Sequence, residues 1–189
     1  MNKRITSIKF RRRREAVTNY KKRLEMVKSG LDRIVLRKTN TRILAQVARY
    51  SPKGDVVLVQ ADSNELSTYK WPGRANRPTA YLTGLLLAKK YKDAKSREHI
   101  LDTGLASPVK NSIPFVFEKG CIDGGMKVRS GVKMDEKTYN ASDSKFASEL
   151  KSKSPDKYKK QYSAYIKEGV DPESMQKLFN EVKEKIIKG

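Results

Sequence analysis

Apolar positions along the chain change period several times, and each change marks an element. Val17, Tyr20, Leu24 and Val27 recur at three- and four-residue spacing, the mark of one helical face. Thr18 is placed to cap that helix and Gly30 to stop it. Arg33 to Arg37 and Arg42 to Tyr50 are rich in Ile, Val and Leu and read as strands. Between them lies Lys38-Thr39-Asn40-Thr41. Asn tolerates positive φ, so a tight hairpin is expected. Ser51-Pro52-Lys53-Gly54-Asp55 is a second turn. Val56-Val57-Leu58-Val59 is apolar on both faces and is expected to be a central strand. Short turns between consecutive strands make an antiparallel meander.

Residues 62–78 read as loop. Thr79 is a good N-cap for a helix from Ala80 to about Tyr91. That helix is apolar nearly all round, through Tyr81, Leu82, Leu85, Leu86, Leu87 and Ala88, so it should lie buried on the sheet. His99 to Leu105 is a candidate strand. Ser112, with Pro114 in the first turn, starts a helix through Phe115, Val116 and Ile122, which Gly124-Gly125 ends. From Met126 the composition turns to Lys, Ser, Asp and Tyr, with weak helical stretches at 145–150 and 157–167. Asp171-Pro172-Glu173 then opens a clearer helix with Met175, Leu178, Phe179, Val182 and Ile186 on one stripe. That helix must dock, and its own domain is the first expectation. The organisation expected is a basic N-terminal arm and short helix (1–30), an α/β core (31–125) and a largely loop and helix C-terminal extension (126–189). The fold class is α/β (α+β): an antiparallel meander extended into a mixed sheet with helices packed on it.

Charge adds a function class to this outline. The chain holds 42 Lys+Arg against 21 Asp+Glu, a net of +21. That excess says nothing about fold but predicts attraction to polyanions. Nucleic acid, anionic membranes and acidic proteins are the candidates. No apolar run is long enough to span a membrane, and no apolar stretch follows the basic N-terminus as a signal peptide would require. Cys121 is the single cysteine, which leaves no internal disulfide or cysteine-built zinc site. A cytoplasmic protein is expected.

The charge is also uneven. Residues 1–30 carry 11 cations and 2 acids, residues 31–110 carry 15 and 7, and residues 111–189 carry 16 and 12. Thirteen of the 14 arginines precede position 98. The planar guanidinium fork suits phosphate and base edges, whereas lysine is a point charge that also simply solubilises. The nucleic-acid surface is therefore expected in the first half.

Catalytic patterns are missing. His99 is the single histidine and pairs with Cys121 at no motif spacing. There is no P-loop, no GxSxG elbow and no HExxH. Gly120-Cys121-Ile122-Asp123-Gly124-Gly125 reads as a helix C-cap rather than a phosphate cradle, and Cys121 as a small buried hydrophobe. Asp55, Asp62 and Glu65 leave a metal-dependent nuclease as a weaker alternative. No cofactor, resident metal or small-molecule substrate is implied.

An RNA-binding surface, by contrast, can be assembled. Lys3, Arg4, Lys9 and the run Arg11-Arg12-Arg13-Arg14 supply an arm that is expected to order on a polyanion. The alternative is a solvated or localisation tail. Thr18, Tyr20, Lys21, Lys22 and Arg23 continue the surface onto the first helix. Arg33, Arg37, Lys38, Asn40 and Arg42 sit on or beside one hairpin, where the sheet fixes their spacing. RNA is read through shape, 2′-hydroxyls and splayed bases that stack on aromatic or guanidinium planes. Tyr69, Lys70, Trp71 and Arg74 form a basic, Pro/Gly-containing loop with aromatics suited to stacking. For Trp71 a core anchor is an equal alternative.

The stretches Phe10-Arg11-Arg12-Arg13-Arg14-Glu15, Thr18-Asn19-Tyr20 and Lys22-Arg23-Leu24 resemble the N-terminal signature of the universal L-eighteen family of large-subunit ribosomal proteins. Arg37-Lys38-Thr39-Asn40, Gln46-Val47-Ala48, Gly54-Asp55, Glu65-Leu66, the run from Ala80 to Lys90 and the run from Lys119 to Gly125 continue the match in order. Tyr158-Lys159-Lys160-Gln161-Tyr162 and Tyr165-Ile166 resemble the family's C-terminal extension. Length and ending look archaeal. Ala16-Val17, Ile113-Pro114 and Cys121 depart from the family wording. The resemblance implies an α/β domain and a non-enzymatic structural constituent of the large ribosomal subunit. It implies binding to 5S rRNA, attachment to large-subunit rRNA in the central protuberance, and contact with neighbouring ribosomal proteins. The other reading is a non-ribosomal basic RNA-binding module or RNA chaperone.

Overall fold

The computed structural model describes residues 8–91, 96–107, 109–129, 139 and 144–188. One short helical turn, α1 (Arg11–Arg14), precedes α2 (Tyr20–Lys28). Strands β1 (Asp32–Lys38), β2 (Ile43–Arg49) and β3 (Val56–Asp62) form the antiparallel meander. A 3-10 turn (Ser63–Tyr69) leads to α3 (Arg77–Lys90) and β4 (Glu98–Asp102). Helix α4 (Ile113–Asp123) and the short β5 (Lys127–Val128) complete the core. The C-terminal part carries α5 (Ser144–Lys153), α6 (Pro155–Gln161), α7 (Ser163–Lys167), a 3-10 turn (Pro172–Ser174) and α8 (Met175–Lys188).

The sheet order is β3-β2-β1-β4-β5, with β4 parallel to both β1 and β5. The mixed sheet expected from the sequence is therefore present. Residues alternate between its faces. Ile34, Leu36, Ile43, Ala45, Val47 and Ala61 point to one side and enter a single core with α3 and α4. Arg33, Val35, Arg37, Gln46 and Ala48 point to the other side, toward α2.

Helices α3 and α4 cross at very close range. A Cβ on Gly84 would lie 2.3 Å from the Phe117 carbonyl oxygen, and one on Gly120 would lie 2.2 Å from that of Tyr81. Only glycine lets the backbones touch this way. Gly120 is thus a helix-crossing residue, and the chain reverses one turn later at Gly125 (φ 97°). Cys121 is fully buried, and burial pushes its thiol well above the usual range, as befits a small core hydrophobe.

Helix α8 docks on α3 through Phe179, Val182 and Ile186. Phe179 meets the Trp71 ring edge-on, centroids 5.9 Å apart. Trp71 is 1% exposed, and its indole N–H donates to Thr79 Oγ1 at 2.9 Å. The ring is a core anchor, so the stacking expectation for Trp71 does not hold.

Four local expectations are corrected. β3 is an edge strand: Val56, Val57 and Leu58 are exposed, and only Val59 and Ala61 reach the core. Aliphatic residues on both faces do not mean burial on both. The β1–β2 turn does not use positive φ at Asn40. Thr39 closes it instead, its hydroxyl accepting from Arg42 N at 3.0 Å and its own N–H donating to Arg42 O. Helix α2 is capped by Asn19, not Thr18, and buries Met26 while Tyr20 and Leu24 stay exposed. Helix α3 starts earlier than expected, at Arg77, because Asn76 caps it and Pro78 suits its first turn.

Candidate nucleic-acid interface

This second sheet face and α2 enclose a groove of about 590 Å³. Met26, Val35 and Ala48 belong to its apolar lining. Its cationic lining comes from Arg12, Lys22, Arg23, Arg33, Arg37 and Lys38, and its acids are Asp55 and Asp102. Local structure explains the gathering. Asn19 caps α2 so that Lys22 and Arg23 face the sheet. Alternation along β1 sends Arg33 and Arg37 to the same side. Gly54 (φ 140°) turns the β2–β3 link so that Asp55 arrives beside Arg33.

Arginines and carboxylates then alternate in one chain of ion pairs. Arg23 Nη2 lies 2.7 Å from Asp55 Oδ2. Arg33 Nη2 lies 2.6 Å from the same oxygen, off the hydrogen-bond axis. Arg33 Nη1 reaches Asp102 Oδ2 at 3.3 Å. Arg37 Nη2 lies 3.7 Å from Asp102 Oδ1, and Arg37 Nη1 donates to the Asp102 carbonyl at 3.1 Å. Gly104 N–H holds Asp102 Oδ1 at 2.8 Å. Lys22 Nζ donates to Thr103 Oγ1 at 3.1 Å.

Position decides what each member can do. Arg33 is 3% exposed, so its guanidinium joins the two carboxylates and does not itself present a face to a ligand. The sequence expectation for Arg33 as a contact residue becomes an internal role. Arg23 and Arg37 are 39% and 48% exposed at the side chain and stand at the two ends of the ladder.

Lys3 and Arg4 lie outside the described residues. Lys9, Arg11, Arg13, Arg14, Tyr20, Lys21, Lys38 and Asn40 are exposed, with Arg11 paired to Glu15 at 3.0 Å. Arg12 donates to Thr18 Oγ1 at 3.0 Å, which ties the arm to the start of α2. Arg42, at the hairpin, reaches Asp62 at 3.5 Å. Tyr69, Lys70 and Arg74 do not line this groove. Tyr69 packs partly on the core. Lys70 is exposed at positive φ. Arg74 pairs with Glu168 and lies over the Tyr165 ring.

The three acids of the nuclease alternative are engaged in other structural roles. Asp55 serves the arginine ladder, Asp62 caps the 3-10 turn, and Glu65 pairs with Lys90. Among the described residues no cluster of acids, His and Cys could hold a metal ion. His99 is buried, with Nδ1 3.1 Å from the Lys127 carbonyl and its ring edge-on to Tyr91. What sequence reasoning misses is Asp55 as a ladder member, with Asp102, Thr103 and Gly104. Asp102 is 69 residues from Arg33, and no local pattern joins them.

A family model described as ribosomal large subunit proteins 60S L5 and 50S L18 matches residues 4–99. The large ribosomal subunit protein uL18 of Thermofilum pendens (strain DSM 2475 / Hrk 5) is 40% identical over 183 residues, 95% of this chain and 93% of the relative. The chain belongs to the uL18 family. It is accordingly a constituent of the large ribosomal subunit, with ribosomal RNA and ribosomal proteins as partners. The family match covers α1, α2, the meander and α3, while Asp102, Thr103 and Gly104 of the groove lie just beyond it. No helix among the described residues is long and apolar enough to cross a membrane.

Proposed function

We propose that this uL18 chain binds 5S rRNA and helps attach it to large-subunit rRNA in the central protuberance, without enzymatic activity. One observation carries the reading: Arg12 of α1, Arg23 of α2 and Arg33 and Arg37 of β1 converge on the groove between α2 and the sheet, with Arg23 and Arg37 tied in place beside an exposed basic arm. The arm neutralises phosphates, which gives affinity and salt dependence. The sheet face supplies rigid donors, which structured RNA requires for discrimination. Phe10 and Tyr20 are exposed next to these cations and are suited to stack on splayed bases.

An equilibrium titration at about 0.2 M salt, with purified 5S rRNA and a transfer RNA compared, tests this. Saturable one-to-one binding with a strong preference for 5S rRNA is the expected result. Equal affinity for both would replace the reading with that of a basic RNA chaperone.

A further inference from the structure

Two acids sit where a polyanion is expected to bind, and an electrostatic surface built for affinity alone would not contain them. Asp55 and Asp102 each lower the positive potential of the groove. We propose that they are specificity-determining positioning residues: they fix the angle and spacing of the Arg23 and Arg37 forks, and so decide which RNA shape the face accepts. This rests on the RNA-binding reading above and assigns that site its source of selectivity.

Three observations support it. First, each carboxylate lies beside one exposed arginine: Asp55 accepts from Arg23, and Asp102 Oδ1 forms an ion pair with Arg37 Nη2 at 3.7 Å, without a hydrogen bond. Asp55 takes Arg23 Nη2, and no other acceptor engages Arg23 among the described residues. Its remaining N–H groups are left for a ligand. Second, both carboxylates share the buried Arg33. Arg33 therefore sets the distance between the two ends, as a spacer would. Third, Arg37 is held from several directions at once. Its Nη1 donates to the carbonyls of Leu36 (2.7 Å) and Asp102 (3.1 Å). A Cβ on Gly104 (φ 64°) would come 3.1 Å from Arg37 Cζ.

A free arginine has many rotamers to lose on binding. A clamped one has lost them already, so it rewards a ligand that fits and gives little to one that does not. The acids also repel any phosphate that approaches off the line of the forks. The consequence runs against simple charge counting: removing a negative charge from a basic RNA surface weakens binding to the proper RNA.

The test uses the full chain, with Asp102→Asn and Asp55→Asn made separately, and titrates 5S rRNA and a transfer RNA at one salt concentration. Both amides keep the shape and an acceptor oxygen. The expected result is a loss of about tenfold in preference for 5S rRNA, with transfer RNA affinity unchanged or raised. Arg37→Met should cost a similar preference, and adding Asp102→Asn to it should cost no more, because the acid acts through the arginine. A purely structural role predicts a lower melting temperature with the preference retained, and that outcome overturns the proposal. So does tighter 5S rRNA binding by either variant. If Asp102→Asn fails to fold, Asp55→Asn, with its partly exposed side chain, decides alone. A wild-type chain without preference would sink the 5S reading and this role together, whereas preference retained in both variants sinks only this role.

Discussion

The open sheet face and the C-terminal helices are both basic, but they hold their charge in different ways. At the sheet face, Arg23 of α2 and Arg33 and Arg37 of β1 are bound into a lattice with carboxylates from the β2–β3 turn and the end of β4. In the C-terminal part, lysines pair within one helix, as Lys153 with Glu149 and Lys188 with Glu184, or with a nearby turn, as Lys151 with Glu173. Helix pairs of that kind contribute a few tenths of a kcal/mol and are screened by salt. The apolar face of α8 is spent inside the molecule, on Trp71 and Tyr81. One region presents fixed donors outward, and the other turns its specific contacts inward. Net charge alone does not tell the two apart.

The largest expected effect separates the regions directly. Changing Arg11, Arg12, Arg13 and Arg14 to Ala should lower RNA affinity by orders of magnitude at moderate salt. It should also flatten the salt slope by up to about 3–4, roughly 0.9 for each phosphate no longer neutralised. Changing Lys157, Lys159 and Lys160 to Ala should leave the slope unaltered. Equal slope changes in filter binding would erase the contrast.

Next in size is Phe179→Ala. It empties a fully buried site against Trp71 and should cost about 3–5 kcal/mol of stability in denaturant unfolding, with the preference for 5S rRNA retained below the melting transition. A collapse of that preference in a still-folded variant would mean the C-terminal helices take part in reading RNA. Changing Arg37 and Asn40 to Ala is smaller. It should reduce discrimination between 5S rRNA and transfer RNA by about tenfold while most non-specific affinity survives. A uniform loss against both RNAs would make the hairpin a phosphate clamp.

The smallest concerns Asp32, on the core side of β1. A two-pronged hydrogen bond from Arg49, at 2.9 and 2.8 Å, holds its carboxyl below the usual range. A lowered carboxyl pKa adds stability at neutral pH that disappears as pH falls through the folded-state value. Arg49→Met should therefore be less stable than wild type near neutrality, with the gap narrowing in acid. A gap independent of pH in urea unfolding would assign Arg49 a packing role only.

The parts of this molecule legible in the sequence are those built from neighbours in the chain. The meander and the amphipathic α8 announce themselves by period, the buried α3 by its apolar run, and the arginine run needs no structure to be noticed. The rest depends on distance in sequence. Val56-Val57-Leu58 reads as a core strand because apolar composition does not say whether a second neighbour exists. Tyr20 and Leu24 fit a helical stripe, yet α2 turns Met26 inward instead. Arg33 reads as a contact residue because its carboxylates arrive from residues 55 and 102. Trp71 leaves two readings open, and the Thr79 hydroxyl together with Phe179 closes one of them.

Trp71 has one more use. It is the single tryptophan of the chain, sealed between α3 and α8 and away from the groove. Its fluorescence therefore watches one event, the seating of the C-terminal helix. RNA added to the folded protein should leave the emission maximum in place, while undocking of α8 should move it to longer wavelength. The molecule carries its own optical gauge of whether the extension is closed, independent of whether the sheet face is occupied.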